Sequence, residues 1–412
     1  MKIQRTLPPA AAPLKIGEVF HGLKGLLQPV KTRNIVTQEL KDYFNVKHVF
    51  LLSSGKAALT VILLALKALS PLKRRVLIPA YTCFSVPSAI VKSGLDIDLC
   101  DIDPGNYDYN YELLPDAVDI NTLCVITGNP FGIPSDVSKT LEICRDKGIY
   151  VVEDAAQAMG CSYKDQRIGT IGDVGFFSLG RGKNITCGSG GIIVTNSDII
   201  AATIAAIYDQ LVDPPFLEDA AEFIKALVMS VFISPSLYWF PASLPFLKLG
   251  ETFFYHDFPV KRLSGMKTGM LKNWRQRLEE HNSTRKGNAE YYWNALKLDR
   301  KQGSSTVNAS LRLPVIAKNR KVRDNIVATL SGRGLGVTTM YPTAINMIDA
   351  IKNRFIGMNY PAAAMMAECL FTVPIHPLLR EKDRKKTSAL LHELIEASVC
   401  PSRSNQRSVP TD

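Results

Sequence analysis

Lys183 stands among glycines in the stretch "FFSLGRGKNITCGSGG", residues 176–191, directly after an apolar run that reads as a strand end. Glycine lets a backbone approach a ligand closely or adopt positive φ. A lysine held there is either a solvated loop charge or a nucleophile and phosphate partner. Ser178 lies five residues earlier, so a hydroxyl and an amine can serve one ligand across a turn. Upstream, "YVVEDAAQAMG" places Glu153 and Asp154 at the end of an apolar strand. A carboxylate in that position caps a helix or holds a positive charge at the sheet's edge. Further upstream, "SSGKAALT" sets Gly55 and Lys56 at the start of a helix, where free N–H groups and the helix dipole favour an anion. Taken alone, that stretch is also read as an ordinary glycine turn capped by Ser54. It is not a Walker P-loop, because the upstream glycine is missing and no Ser or Thr follows Lys56.

In this order and spacing the pieces describe what pyridoxal phosphate needs. Its phosphate takes a helix N-terminus and hydroxyls. Its pyridine nitrogen takes a carboxylate that keeps it protonated, and its aldehyde takes a lysine as a Schiff base. Lys183 is then the Schiff-base lysine and Asp154 the carboxylate.

The elements around these residues alternate. "KHVFLLSSG" reads as a strand, "GKAALTVILLALKAL" as an apolar helix, and "RVLIPAYT", "DIDLCDIDP", "TLCVITGNPFG", "IYVVEDAAQ", "VGFFSLG" and "GGIIVTNS" as further strands, several separated by helices. Short strands alternating with helices predict an α/β fold with a largely parallel sheet covered on both faces. In such sheets a ligand sits beyond the carboxyl ends of the strands, where the unusual stretches fall. The predicted organisation is an N-terminal arm over 1–34, a large cofactor-binding domain over 35–206, an apolar insertion over 207–262, a long helix and small α+β domain over 263–400, and a disordered tail over 401–412. Residues 226–247 carry no charge, but Pro235, Pro241 and Pro245 interrupt them. This argues for a buried or interface-forming insertion, with a membrane-surface element over 220–250 as the alternative, rather than a straight spanning helix.

Composition narrows the class. The 412 residues are 46% hydrophobic and 21% charged, the balance of a soluble globular chain with a sizeable core. A net charge of +11 admits anionic partners. The basic residues form no aromatic-interleaved stripe, which argues against nucleic acid. Eight cysteines without a C-x-x-C pair and six isolated histidines offer no metal constellation. With no apolar signal segment at the N-terminus, a cytoplasmic setting is expected, also compatible with attachment at the inner membrane face.

The motifs resemble the vitamin B6-dependent nucleotide-sugar aminotransferases, the DegT/StrS-like group of fold-type-I enzymes. The resemblance rests on "SGKAAL" (54–59), "PAYT" (79–82), "DIDP" (101–104), "EDAAQ" (153–157), "GDVGFFS" (172–178), "KNITCGSGG" (183–191) and "VPIHP" (373–377). It implies a seven-stranded, mostly parallel large domain, a smaller C-terminal α+β domain and a homodimer with shared active sites. It further implies that Lys183 forms the Schiff base and shuttles a proton, and that Asp154 pairs with the pyridinium. Gln157 contacts the ring oxygen or phosphate side, while Ser178, Gly55 and Lys56 bind phosphate. The implied reaction moves an amino group, by family habit from glutamate, to a keto-sugar on a nucleoside diphosphate for glycan or polysaccharide biosynthesis.

Several positions depart from the pattern. Lys56 replaces the family's threonine, Val260 with Lys261 beside it replaces an asparagine that reaches the partner's phosphate, and Ser189 replaces an acid. The aromatic expected in the cofactor-stacking loop is Cys83, with Phe84 next along. Phe84 is therefore expected at the ring, and Lys56 or Lys261 is expected to replace the lost hydrogen bonds by charge pairing. The dehydratase variant of the family carries histidine in place of the lysine, so Lys183 argues against it. A catalytically silent cofactor-binding relative and a membrane-associated assembly protein anchored through 220–250 are the remaining alternatives.

Overall fold

The computed structural model describes residues 3–298 and 310–399. Its centre is a seven-stranded sheet built from β1 (His48–Leu52), β2 (Arg75–Pro79), β3 (Asp96–Cys100), β4 (Thr122–Gly128), β5 (Tyr150–Asp154), β6 (Val174–Ser178) and β7 (Gly191–Thr195). In space the order is β1-β7-β6-β5-β4-β2-β3, and only β7 runs antiparallel to its neighbours. The inner strands are buried on both faces, which is why they read as continuous apolar runs rather than as alternations. The register pairs Gly128 with Asp154 and Asp154 with Phe176, so the ends of β4, β5 and β6 lie side by side.

Helix α1 (Ile16–Leu27), over the stretch "GEVFHGLKGLL" that reads as a short helix, and the start of helix α2 (Pro29–Phe44) occupy much of the N-terminal segment 1–34. Pro29 is tolerated because it takes the first helical position, where its missing N–H costs no hydrogen bond. The preceding residues 6–14 do form an extended arm. Thr6 N–H donates to Pro235 O at 2.8 Å, Leu7 N–H to Gly334 O at 2.8 Å, and Ala12 N–H to Arg181 O at 3.3 Å. Helix α3 (Gly55–Leu69) is apolar nearly all round and packs inside the molecule, its first turn capped by the Ser54 side chain.

The second body is a three-stranded antiparallel sheet of β8 (Arg312–Ile316), β9 (Thr338–Thr339) and β10 (Leu370–Pro374), with β10 in the middle. Helix α4 (Trp274–Leu296) is the long charged helix expected there, and helices Arg320–Gly332 and Glu381–Val399 pack beside the sheet. The insertion begins in the end of the helix Asp198–Gln210, carries helix α5 (Phe216–Phe232) and short helical turns at Trp239–Ala242 and Pro245–Leu247, and is otherwise irregular. Among the described residues no helix is long and apolar enough to cross a membrane. The tail expected over 401–412 lies outside the described residues.

His376 ties the arm to the second body. Its Nδ1 accepts from Leu378 N–H at 3.2 Å and its Nε2 lies 2.9 Å from Pro8 O, so the neutral ring acts as acceptor and donor at once. Burial pushes its pKa down to about 3, and burial likewise takes His281 to about 4. A histidine with a depressed folded pKa contributes stability that is complete above its ordinary value of 6.5. That contribution is lost as pH falls from there toward the folded value, at about 1.4 kcal/mol per pH unit for each ring. The urea midpoint is therefore expected to fall steadily from pH 6.5 to 4.5, and less steeply in His376→Gln. Parallel profiles for the two proteins would contradict this.

Candidate active site

The carboxyl ends of β5 and β6, the start of α3 and the edge of the second body enclose a cavity of about 1230 Å³. Lys183, Asp154, Gln157, Ser178, Gly55 and Lys56 all line it. Residues distant in sequence meet because each sits just beyond a strand or at a helix start on one edge of the sheet.

The two carboxylates of "EDAAQ" separate by strand alternation. Glu153 is fully buried and accepts backbone N–H groups from Gly169 at 2.8 Å, Ile171 at 2.5 Å and Gly172 at 2.6 Å. It pins the turn before β6 and takes no part in the cavity. Asp154 faces the cavity, its Oδ1 accepting from Ala156 N–H at 2.9 Å. Burial raises the Asp154 pKa, opposed by that hydrogen bond and by Lys183. Such a carboxylate is set to take a cation or a proton-bearing nitrogen.

Burial pushes the Lys183 ammonium down from its ordinary value; Cys83 and Asp154 oppose the shift and Arg312 adds to it. The direction favours the neutral amine that a nucleophile or base requires. Its loop is closed by Lys183 N–H donating to Gly180 O at 3.1 Å, Leu179 N–H to Gly190 O at 2.8 Å, and Thr186 Oγ1 to Leu179 O at 2.8 Å. Arg285, inside α4, clamps the loop from behind. Its guanidinium donates to Asn184 O at 2.9 Å, Lys183 O at 3.0 Å and Ala11 O at 3.0 Å.

Gly55 approaches Ser178 closely, and a Cβ at Gly55 would stand 2.9 Å from the Ser178 Cβ. The helix start and the serine hydroxyl thus form one cradle that only glycine allows. Gly55→Ala should cost about 1–3 kcal/mol in overpacking. Pyridoxal phosphate should bind at least about tenfold more weakly, read by fluorescence titration beside a melting curve. Unchanged affinity and unchanged melting would refute the cradle.

Lys56 lines the cavity with its Nζ 4.1 Å from the Tyr255 ring centroid and 4.5 Å from that of Phe258. Burial lowers its pKa. Lys261, the other lysine expected to compensate for altered phosphate contacts, forms an ion pair with Glu218 and does not line this chain's cavity. Ser189 accepts from Lys267 Nζ at 2.9 Å, and Lys267 also pairs with Glu222 of α5 at 3.2 Å.

Phe84 corrects an expectation. Its ring does not line the cavity; it is 6% exposed and stacks 6.5 Å from Tyr341. Phe84 caps the helix Ser85–Lys92 in helical backbone geometry, which turns its ring into the core and leaves Cys83 on the cavity wall. Gln157 lines the cavity with both ends of its amide engaged: Oε1 accepts from Phe131 N–H at 3.0 Å and Nε2 donates to Tyr341 Oη at 2.8 Å.

Sequence reasoning missed Arg312, at the start of β8. It reaches the cavity, donating from Nη1 to Thr338 Oγ1 at 3.2 Å and Thr372 Oγ1 at 3.4 Å, while its buried Nε has no partner. Burial lowers its pKa to about 10. A guanidinium among hydroxyls rather than carboxylates is a ready anion site. The available signal was one arginine inside the otherwise apolar "SLRLPVIA".

The description "DegT/DnrJ/EryC1/StrS aminotransferase family" belongs to the family model that matches residues 28–218 and 259–391. An uncharacterised protein of Methanocaldococcus jannaschii is 35% identical over 191 residues, 46% of this chain and 49% of that protein. GDP-perosamine synthase of Caulobacter vibrioides is 31% identical over 173 residues, 42% of this chain and 46% of that protein. The chain thus aligns with about half the length of these relatives. Among solved structures, Helicobacter pylori PseC, an aminotransferase involved in the biosynthesis of pseudoaminic acid, superposes with a TM-score of 0.76 at 14% identity, covering 95% of this chain and 100% of that one. At that identity the likeness is one of fold.

Proposed function

Because the chain belongs to the DegT/DnrJ/EryC1/StrS aminotransferase family, we propose that it is a pyridoxal-phosphate-dependent aminotransferase. In this reading it moves an amino group from a donor such as glutamate to a keto-sugar carried on a nucleoside diphosphate. The observation that carries the reading is the meeting of Lys183, Asp154 and the Gly55–Ser178 cradle in one cavity.

These residues fit the cofactor. Lys183 has its amine shifted toward the neutral form, Asp154 is a carboxylate in need of a positive partner, and the cradle cannot hold a Cβ. Gly55, Lys56 and Ser178 would hold the phosphate, Asp154 the ring nitrogen, and Lys183 the aldehyde carbon. When bound, the cofactor supplies an electron-withdrawing ring through which an amino group passes from one molecule to another. Lys183 Nζ, once neutral, takes the proton from the donor's α-carbon and holds it for return. Arg312 offers its unpartnered guanidinium edge to the donor's carboxylate. Arg285 keeps Lys183 in place through the loop carbonyls.

The name of the Caulobacter relative, a GDP-perosamine synthase, supports the sugar-nucleotide acceptor. The test is an absorbance spectrum of the purified protein with pyridoxal phosphate, before and after glutamate. A band near ~420 nm that moves to ~330 nm is expected. No band would sink the reading. A band that no amino donor moves would favour the catalytically silent relative.

A further inference from the structure

The internal stretch that the family model leaves unmatched, residues 219–258, contributes much of the cavity's lining and roofs it. Helix α5 contributes Ile224, Val228, Met229 and Phe232 to the lining, and the segment after it contributes Phe240 and Leu244. Lys183, Asp154 and Ser178 line the same cavity. The cavity therefore combines polar groups able to hold a cofactor with a largely hydrocarbon lining from the insertion, which also adds Lys225, Glu251 and Thr252.

A nucleoside diphosphate alone does not suit such a roof. Its charges would lose water against the aliphatic and aromatic carbon of Ile224, Val228, Met229 and Phe232, which offers them no hydrogen bonds. Lys225, the one cation that α5 adds to the lining, lies 2.8 Å from Glu222 and is already paired. The roof is also continuous with an apolar rim. Ile224, Val228 and Phe240 line the cavity while remaining 61%, 51% and 41% exposed. A chain can thus leave the reacting centre and run outward along carbon the whole way.

We propose that residues 219–258 form a binding site for a hydrocarbon chain, acyl or prenyl, that the keto-sugar acceptor carries in addition to its nucleoside diphosphate. The chain lies against α5 and Phe240, and the acceptor's polar, carbonyl-bearing end faces Lys183. This rests on the aminotransferase reading for what happens at that end. The chain site itself comes from the lining. It follows that the insertion selects the acceptor, while the rest of the fold supplies the reaction.

The experiment is a fluorescence titration of the protein, loaded with pyridoxal phosphate, with 11-(dansylamino)undecanoic acid. Wild type is expected to bind the probe with enhanced, blue-shifted emission, and decanal should displace it where butanal does not. Val228→Asp and Met229→Asp should each weaken binding at least tenfold while leaving the ~420 nm band in place. Leu217→Asp, on an 80% exposed residue of the same helix outside the cavity, should leave binding unchanged. No probe binding by wild type, or equal loss in Leu217→Asp, would overturn the proposal. So would Val228→Asp converting a dimer to monomers in sedimentation without altering probe affinity, since a second copy would then be what covers the roof. Loss of the ~420 nm band from wild type with probe binding retained would sink the aminotransferase reading and leave the chain site standing.

Discussion

Lys183→Ala is expected to bind pyridoxal phosphate without the ~420 nm band, and to transfer amino groups at least ~10³-fold more slowly than wild type. The size follows from the two tasks assigned to one amine, attachment of the cofactor and movement of the donor's proton. Folding should not suffer. The substitution removes an amine that burial disfavours in its charged form, and the loop around it is held by backbone groups and Arg285 rather than by Lys183 Nζ. The urea midpoint of the variant is therefore expected to equal or exceed that of wild type. In wild type, donor turnover should rise with pH as Lys183 loses its proton, with an apparent pKa below the 10.5 of a free lysine. A variant that keeps the band, or loses less than about tenfold in rate, would remove Lys183 from the mechanism.

Arg285→Leu is the second large effect, and it acts on stability and on Lys183 together. Arg285 is fully buried with no carboxylate beside it; burial lowers its pKa to about 9. A buried charge is expensive, so a leucine of similar bulk could in principle be neutral. Here the partners decide the sign. Besides Asn282 Oδ1 at 3.3 Å, they are the backbone carbonyls of Ala11, Lys183 and Asn184, which no side-chain change can remove. Leaving them without donors should cost on the order of 3–5 kcal/mol. The expected outcome is a fall of more than about 1 M in the urea midpoint, given a slope of ~1–3 kcal/mol/M. Faster amide exchange should appear at residues 180–188. Arg285→Lys should recover only part of the loss, because one ammonium cannot reach three carbonyls as the planar fork does. An unchanged midpoint with unchanged exchange would show that the loop closes without the clamp.

The apolar runs and their spacing were enough to specify the parallel sheet. Strands buried on both faces must be continuous in hydrophobicity, and the turns between them carry the glycines and carboxylates that mark strand ends. Lys183, Asp154, Gly55 and Ser178 were legible for the same reason, since each sits in a short local pattern next to a strand or helix end. Local spacing does not tell which way a side chain turns. Phe84 and Cys83 are neighbours, and only the helical geometry at Phe84 sends its ring to Tyr341 and leaves the thiol on the cavity wall.

Arg285 and Arg312 were illegible on different grounds. Arg285 lies in a helix charged on every side, so nothing in "HNSTRKGNAE" separates it from solvated neighbours until α4 packs behind the lysine loop. Arg312 is 129 residues from Lys183, and only the docking of β8 against the large sheet brings the two to one cavity. The insertion shows the same division. The uncharged run 226–247 and its prolines were plain in the sequence, but whether it faced a membrane, a partner or the site depended on where α5 came to rest. The sequence by itself determined most of the elements, the candidate residues that meet in the cavity and the family, because those are written in local pattern. Tertiary structure alone decided the clamp, the anion site and the apolar roof, because those depend on contacts between segments far apart in the chain.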